Sequence, residues 1–97
     1  MTPLDVRHAL YDVLDPELGV NIVDLGLVYD IAVDRNRVRI TMTMTSPACP
    51  LREYIQTLVQ SAVADRVPDV ESVTVDVVDD PPWSEDRMTD EARRQLS

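Results

Sequence analysis

The stretch Val38-Arg39-Ile40-Thr41-Met42-Thr43-Met44-Thr45-Ser46-Pro47-Ala48-Cys49-Pro50-Leu51 decides the fold. Up to Thr45, apolar Val38, Ile40, Met42 and Met44 alternate with Arg39, Thr41, Thr43 and Thr45. That period of two is the pattern of a strand with one buried face. Ser46-Pro47 ends the strand. After Pro50 the period becomes helical: Leu51, Tyr54, Ile55, Leu58, Ala62 and Val63 recur as one apolar stripe that runs to about Arg66. The change of period places Cys49, the only cysteine of the chain, at or one residue from the N-cap of this helix.

Outward from that junction the remaining elements follow. Leu27, Tyr29, Ile31 and Val33 share one face of an earlier strand. Asp34-Arg35-Asn36-Arg37 reads as the turn of a β-hairpin, with Asn36 suited to a left-handed conformation. Thr2-Pro3-Leu4-Asp5 starts a first helix, in which Thr2 caps, Pro3 suits the first position and Asp5 favours the positive end. Val6, Leu10, Val13 and Leu14 give it one apolar face, and Asp15-Pro16 stops it. The connection from Asp15 to Gly26 is irregular. It holds the only two glycines, Gly19 and Gly26, with room for one helical turn at Ile22–Leu25 between them. Downstream, Val67-Pro68-Asp69 ends the second helix, and Val73, Val75 and Val77 alternate with polar residues in a third strand. The order α-β-β-α-β predicts an α+β two-layer sandwich, with two helices covering the apolar face of a mixed three-stranded sheet.

The whole chain, residues 1–97, reads as one domain, with 79–97 as its tail. Pro81-Pro82 excludes regular structure at the start of that tail. Thr89 is placed to cap a last short helix over Asp90–Leu96, and Met88 and Leu96 are expected to dock the tail. Trp83 has two readings: a clamp that holds the tail on the core, or an anchor for a binding partner.

Composition excludes several functions. The net charge is −9, so nucleic acid and anionic membrane surfaces are disfavoured as ligands. No apolar run approaches the ~20 residues that a bilayer span needs, and Met1-Thr2-Pro3-Leu4-Asp5-Val6-Arg7 has no signal pattern, so the expected location is the cytoplasm. With two glycines, no phosphate-binding loop or dinucleotide fingerprint can be written.

Cys49 is the candidate reactive group. A helix start favours an anion, and the thiolate is the form of cysteine that binds metal and attacks electrophiles. The flanking Pro47 and Pro50 stiffen its backbone. Equally, a free cysteine can be an inert apolar residue. One cysteine does not make a metal centre, since zinc and Fe–S sites take about four ligands, and the only histidine, His8, lies within the first helix. A metal or cluster would need further ligands from a second copy, another protein or a small thiol. Asp15, Glu17 and Asp24 flank the irregular connection and suit either turn formation or a role beside Cys49. Thr41 and Thr43 fit an exposed sheet face, whereas Thr45 and Ser46 adjoin Cys49 and could hydrogen-bond its sulfur or a ligand.

Three motifs carry a family resemblance: Asp15-Pro16-Glu17 with Ile22-Val23-Asp24-Leu25-Gly26-Leu27-Val28-Tyr29-Asp30; Thr43 to Leu51; and Asp80-Pro81-Pro82-Trp83 with Met88. In this order, over nearly the whole chain, they resemble the SufT/PaaD-like (MIP18-like) Fe–S assembly domain family, domain of unknown function 59. The resemblance implies a fold similar to Fe–S cluster assembly scaffold domains and a non-enzymatic role as an iron–sulfur cluster assembly and maturation factor. The family's reactive cysteine falls on Cys49, expected to act as a transient metal ligand, and its acidic loop on Asp15, Glu17 and Asp24. The implied cargo is iron or a transient Fe–S cluster that one chain alone does not hold. The implied partners are the Fe–S assembly machinery and apo target proteins. A homodimer is compatible, because two Cys49 thiols would give half of a cluster's ligands. The alternatives are a thiol-dependent enzyme acting on a small metabolite and an adaptor that binds no metal, such as a PaaD-like accessory of a ring-oxygenase complex. The extra C-terminal cysteines of PaaD-like members are missing, which favours the general SufT-like reading.

Overall fold

Thr2 starts the first helix, α1 (Pro3–Leu10), by a reciprocal cap. Its Oγ1 accepts the Asp5 N–H at 3.2 Å, and the Asp5 carboxylate accepts the Thr2 N–H at 3.0 Å. Val6, Ala9 and Leu10 form its buried face. The helix ends earlier than Asp15-Pro16. Beyond Leu10 the bonds tighten to the three-residue spacing: Tyr11, Asp12 and Val13 N–H donate to the carbonyls of His8, Ala9 and Leu10. That tightening turns Val13 into the core but leaves Leu14 52% exposed, so the predicted apolar face stops one residue short. The computed structural model that shows this describes residues 2–16, 18–44 and 52–96.

Strands β1 (Val28–Asp34) and β2 (Arg37–Met42) pair antiparallel, and β3 (Ser72–Val77) joins the far side of β2 in parallel. The sheet order is β1-β2-β3. Val38, Ile40 and Met42 are buried on one face, while Arg37 and Arg39 lie exposed on the other. There Arg39 pairs with Asp76 at 2.6 Å and Arg37 with Glu71 at 3.8 Å. The hairpin loop holds two residues, and Arg35, not Asn36, takes the left-handed conformation (φ 57°). A two-residue loop with positive φ at its first position matches the twist of the strands. Asn36 is held instead by its carbonyl, which accepts the Glu71 N–H at 2.6 Å and so pins the hairpin to the start of β3.

The second helix, α2 (Arg52–Arg66), buries Ile55, Val59 and Val63. This stripe is rotated from the predicted one. Tyr54 is 52% exposed, and Leu58 and Ala62 are half-buried. The rotation has a cause in the sheet. It brings Gln56 and Gln60 to the outer edge of β3, where their Nε2 groups donate to the carbonyls of Val75 (3.1 Å) and Val73 (3.3 Å). Carbonyls that no fourth strand pairs are thus satisfied by side chains. Leu51, predicted to open this helix, lies outside the described residues. Helix α1 packs on α2 and β1, and α2 packs on β3, so both lie on the apolar face of the sheet. The result is the predicted α+β sandwich of a mixed three-stranded sheet and two helices, with a third helix in the tail. Among the described residues no helix is long and apolar enough to cross a membrane.

The left-handed Arg35 is the one strained point of the hairpin. A side chain there costs about 1–2 kcal/mol, partly offset in glycine by the entropy of the unfolded chain. Arg35→Gly should raise the unfolding free energy by about 0.5–1 kcal/mol, measured by urea denaturation with an unchanged m-value.

Candidate functional site

The irregular connection is two small turns in series. In the first, Asp15 Oδ1 accepts the Leu18 N–H at 3.1 Å, its carbonyl accepts Gly19 N–H at 2.8 Å, and its own N–H donates to Val20 at 2.9 Å. Gly19 makes the bend at φ 70°. In the second, Asn21 caps a single helical turn: its Oδ1 accepts the Asp24 N–H at 2.8 Å and its Nδ2 donates to Asp24 Oδ2 at 2.7 Å. The turn closes with Leu27 N–H donating to Ile22 and Gly26 N–H to Val23, a Schellman motif with Gly26 at φ 77°. Ile22 and Leu27, which the motif brings together, are fully buried.

The tail crosses this second turn. Trp83 Nε1 donates to the Leu25 carbonyl at 2.6 Å, and Thr89 N–H donates to the Asp24 carbonyl at 2.8 Å. Tyr29 Oη donates to the Pro81 carbonyl at 2.7 Å, and the Arg87 guanidinium stacks 4.7 Å from the Tyr29 ring centre. Arg87 also sits directly on Gly26. A β-carbon at Gly26 would overlap the Arg87 carbonyl oxygen and come within 2.6 Å of its Cβ. Trp83 is half-buried against the core, the clamp arrangement. Met88 docks as expected, but Leu96 does not: it is 40% exposed. Helix α3 (Asp90–Leu96), capped by Thr89 Oγ1, is held by Ala92, fully buried and too small to stand out in the sequence.

Thr43 ties both regions to the sheet. It is buried, not exposed as its alternation implied, because β2 ends at Met42. Its N–H donates to Leu27 at 2.9 Å and its Oγ1 to Val78 at 2.7 Å. The segment with Cys49 follows Met44 and ends at Arg52. Four of the predicted site residues, Glu17, Thr45, Ser46 and Cys49, lie outside the described residues. Arg52, unremarked in the sequence, donates Nη2 to Asp79 at 2.9 Å, while its buried Nε has no acceptor among the described residues. Of the predicted loop, Asp24 is bound by the capping Asn21. Asp15 is 1% exposed, a carboxylate placed within the core. His8 lies exposed on α1, and among the described residues no group of three or more His, Cys, Asp or Glu could hold a metal ion.

A family model described as iron-sulfur cluster assembly protein matches residues 4–77. The chain is 47% identical over 93 residues to the Fe-S protein maturation auxiliary factor YitW of Bacillus subtilis, covering 95% of this chain and 90% of that protein. It is 42% identical over 85 residues to the Fe-S protein maturation auxiliary factor SufT of Staphylococcus aureus, covering 87% of this chain and 96% of that one. The crystal structure of a domain of unknown function DUF59 from Bacillus anthracis superposes with a TM-score of 0.92 at 45% identity, covering 97% of this chain and 90% of that one.

The two glycines separate backbone strain from contact. A β-carbon at Gly19 would meet no atom within 4 Å, so Gly19→Ala carries only the left-handed penalty of about 1–2 kcal/mol. Gly26→Ala adds the overlap with Arg87 and should cost about 3 kcal/mol or more. It should also release the tail, read as increased Trp83 fluorescence quenching by acrylamide; Gly19→Ala should leave that quenching unchanged.

Proposed function

This chain belongs to the iron–sulfur cluster assembly protein family, and from that premise we propose that it serves as an Fe–S maturation factor in which Cys49 is the transient ligand of iron or of a cluster on its way to an apo target. The observation that carries the reading is the 47% identity to an Fe-S protein maturation auxiliary factor along nearly the whole chain. The cluster is cargo here, and the chain works as an accessory protein, not as an enzyme. Its partners are the assembly machinery that supplies the cluster and the proteins that receive it.

The chemistry of the residues supports this role. Helix α2 starts at Arg52, so its first N–H groups, which have no partner within the helix, lie close in sequence to Cys49. A helix start and a nearby arginine are, in general, surroundings that favour thiolate over thiol. A single thiolate is a weak hold on a cluster that takes about four ligands. The remaining ligands come from a partner, a second copy or a small thiol, and the cargo is easily surrendered to a target with a full set.

Asp15 supports a second role in the same loop. An Asx turn can be made by an exposed Asp or Asn. Burying a carboxylate costs free energy unless it is well bonded, so turn-making alone does not account for a side chain only 1% exposed. We assign Asp15, with Glu17 and Asp24, to the support of the Cys49 segment, with Thr45 and Ser46 as its hydrogen-bonding neighbours.

In cells that lack the native chain, Cys49→Ser should lower the activity of a dependent Fe–S enzyme about tenfold with normal levels of the variant protein. Asp15→Asn, which keeps the turn, should give a smaller loss of about two- to fivefold. Full activity with Cys49→Ser would refute the ligand role.

A further inference from the structure

The two edges of the sheet are treated differently. The carbonyls of β3 are covered by Gln56 and Gln60. Among the described residues β1 has no such cover. The two-residue loop makes Asp34 and Arg37 a hydrogen-bonded pair, and bonded and non-bonded pairs then alternate along the ladder. Asp30, Ala32 and Asp34 therefore bond to β2, and Ile31 and Val33 turn their N–H and C=O groups outward. No hydrogen bond from another described residue reaches these outward groups. Such an edge is a template for another strand.

Its side chains specify what would pair with it. Asp30 and Asp34 are exposed on the solvent face and, unlike Asp76 of β3 and Glu71 just before it, form no ion pair among the described residues. On the core face, Val28, Ile31, Pro3 and Leu4 line a groove of about 300 Å³, with Leu4 59% exposed. Arg7 lines the groove on its α1 side. We propose that the open edge of β1, Asp30–Asp34, docks an extended segment of a partner protein, alternating basic with apolar residues, as a fourth strand. The basic residues would lie beside Asp30 and Asp34, and the apolar ones over Ile31, Val33 and Leu4. A second copy is a poor occupant. Antiparallel pairing of β1 with itself about Ala32 sets Asp30 against Asp34 at both ends, between chains that each carry a net charge of −9.

This inference goes beyond the Fe–S reading and stands without it, because its test needs no cluster. The probe is a synthetic peptide as long as β1 that alternates lysine with valine, titrated into the isotope-labelled chain. Binding should shift the amides of Ile31 and Val33 and slow their hydrogen exchange about tenfold. The same peptide with glutamate for lysine should not bind. Val33→Pro removes an edge donor that β2 does not use, so it should fold and weaken binding about tenfold. Asp30→Lys with Asp34→Lys should reverse the preference to the glutamate peptide. Shifts scattered over the acidic surface with exchange unchanged at Ile31 and Val33 would overturn the proposal, as would equal binding by Val33→Pro or an unreversed preference. A dimer of the chain alone, dissolved by Val33→Pro in sedimentation equilibrium, would overturn the partner assignment in favour of a second copy.

Discussion

The constraint on which the candidate site depends is the backbone at Gly26. Its positive φ closes the Schellman turn that buries Ile22 beneath Leu27, and its missing side chain admits Arg87. Without that contact the tail could not reach the Leu25 and Asp24 carbonyls, which accept from Trp83 and Thr89. Those two carbonyls end a one-turn helix and have few partners within it. The tail therefore does for this short turn what further turns do for a long helix. One glycine thus fixes the position of Asp24 and joins the acidic loop to the last part of the chain.

From that seam, hydrogen bonds lead to Thr43 and Arg52, described residues on either side of the segment that bears Cys49. Leu27, the residue that completes the turn, accepts from Thr43, and Thr43 in turn donates to Val78, where the chain leaves β3 for the tail. Arg52, on the far side of the segment, reaches Asp79 next in line. Thr43 and Arg52 therefore bond to neighbouring residues, the Val78 carbonyl and the Asp79 carboxylate.

Much of this was legible because it is local. The Thr2 and Thr89 caps, the hairpin, the turn at Ile22–Leu25 and the strand alternation follow from residues within a few positions of one another. The departures arise where distant parts decide. Thr43 alternates like a surface residue, but it is buried because the strand gives way to a bond with Val78. The stripe of α2 turned toward Gln56 and Gln60 because the free edge of β3 needed donors, which no helical pattern records. Ala92, fully buried, anchors α3, whereas Leu96 is exposed. In the loop, Asp24 was legible as a residue of importance, but its capping bonds with Asn21 became visible only in three dimensions. Cys49 stood out by its position between two periodicities, whereas Arg52 carried no signal in sequence, since its bond to Asp79 spans distant parts of the chain.

In the proposed role, Cys49 is a ligand whose partners come from elsewhere. The most direct test is anaerobic reconstitution of the purified chain with iron, sulfide and a small thiol, with visible absorption and iron content recorded beside Cys49→Ser. The native chain should show cluster absorption and an iron content that corresponds to a cluster shared between two chains or completed by the thiol, and Cys49→Ser should lose both. Equal absorption and iron in the two proteins, or none in either, would contradict that role.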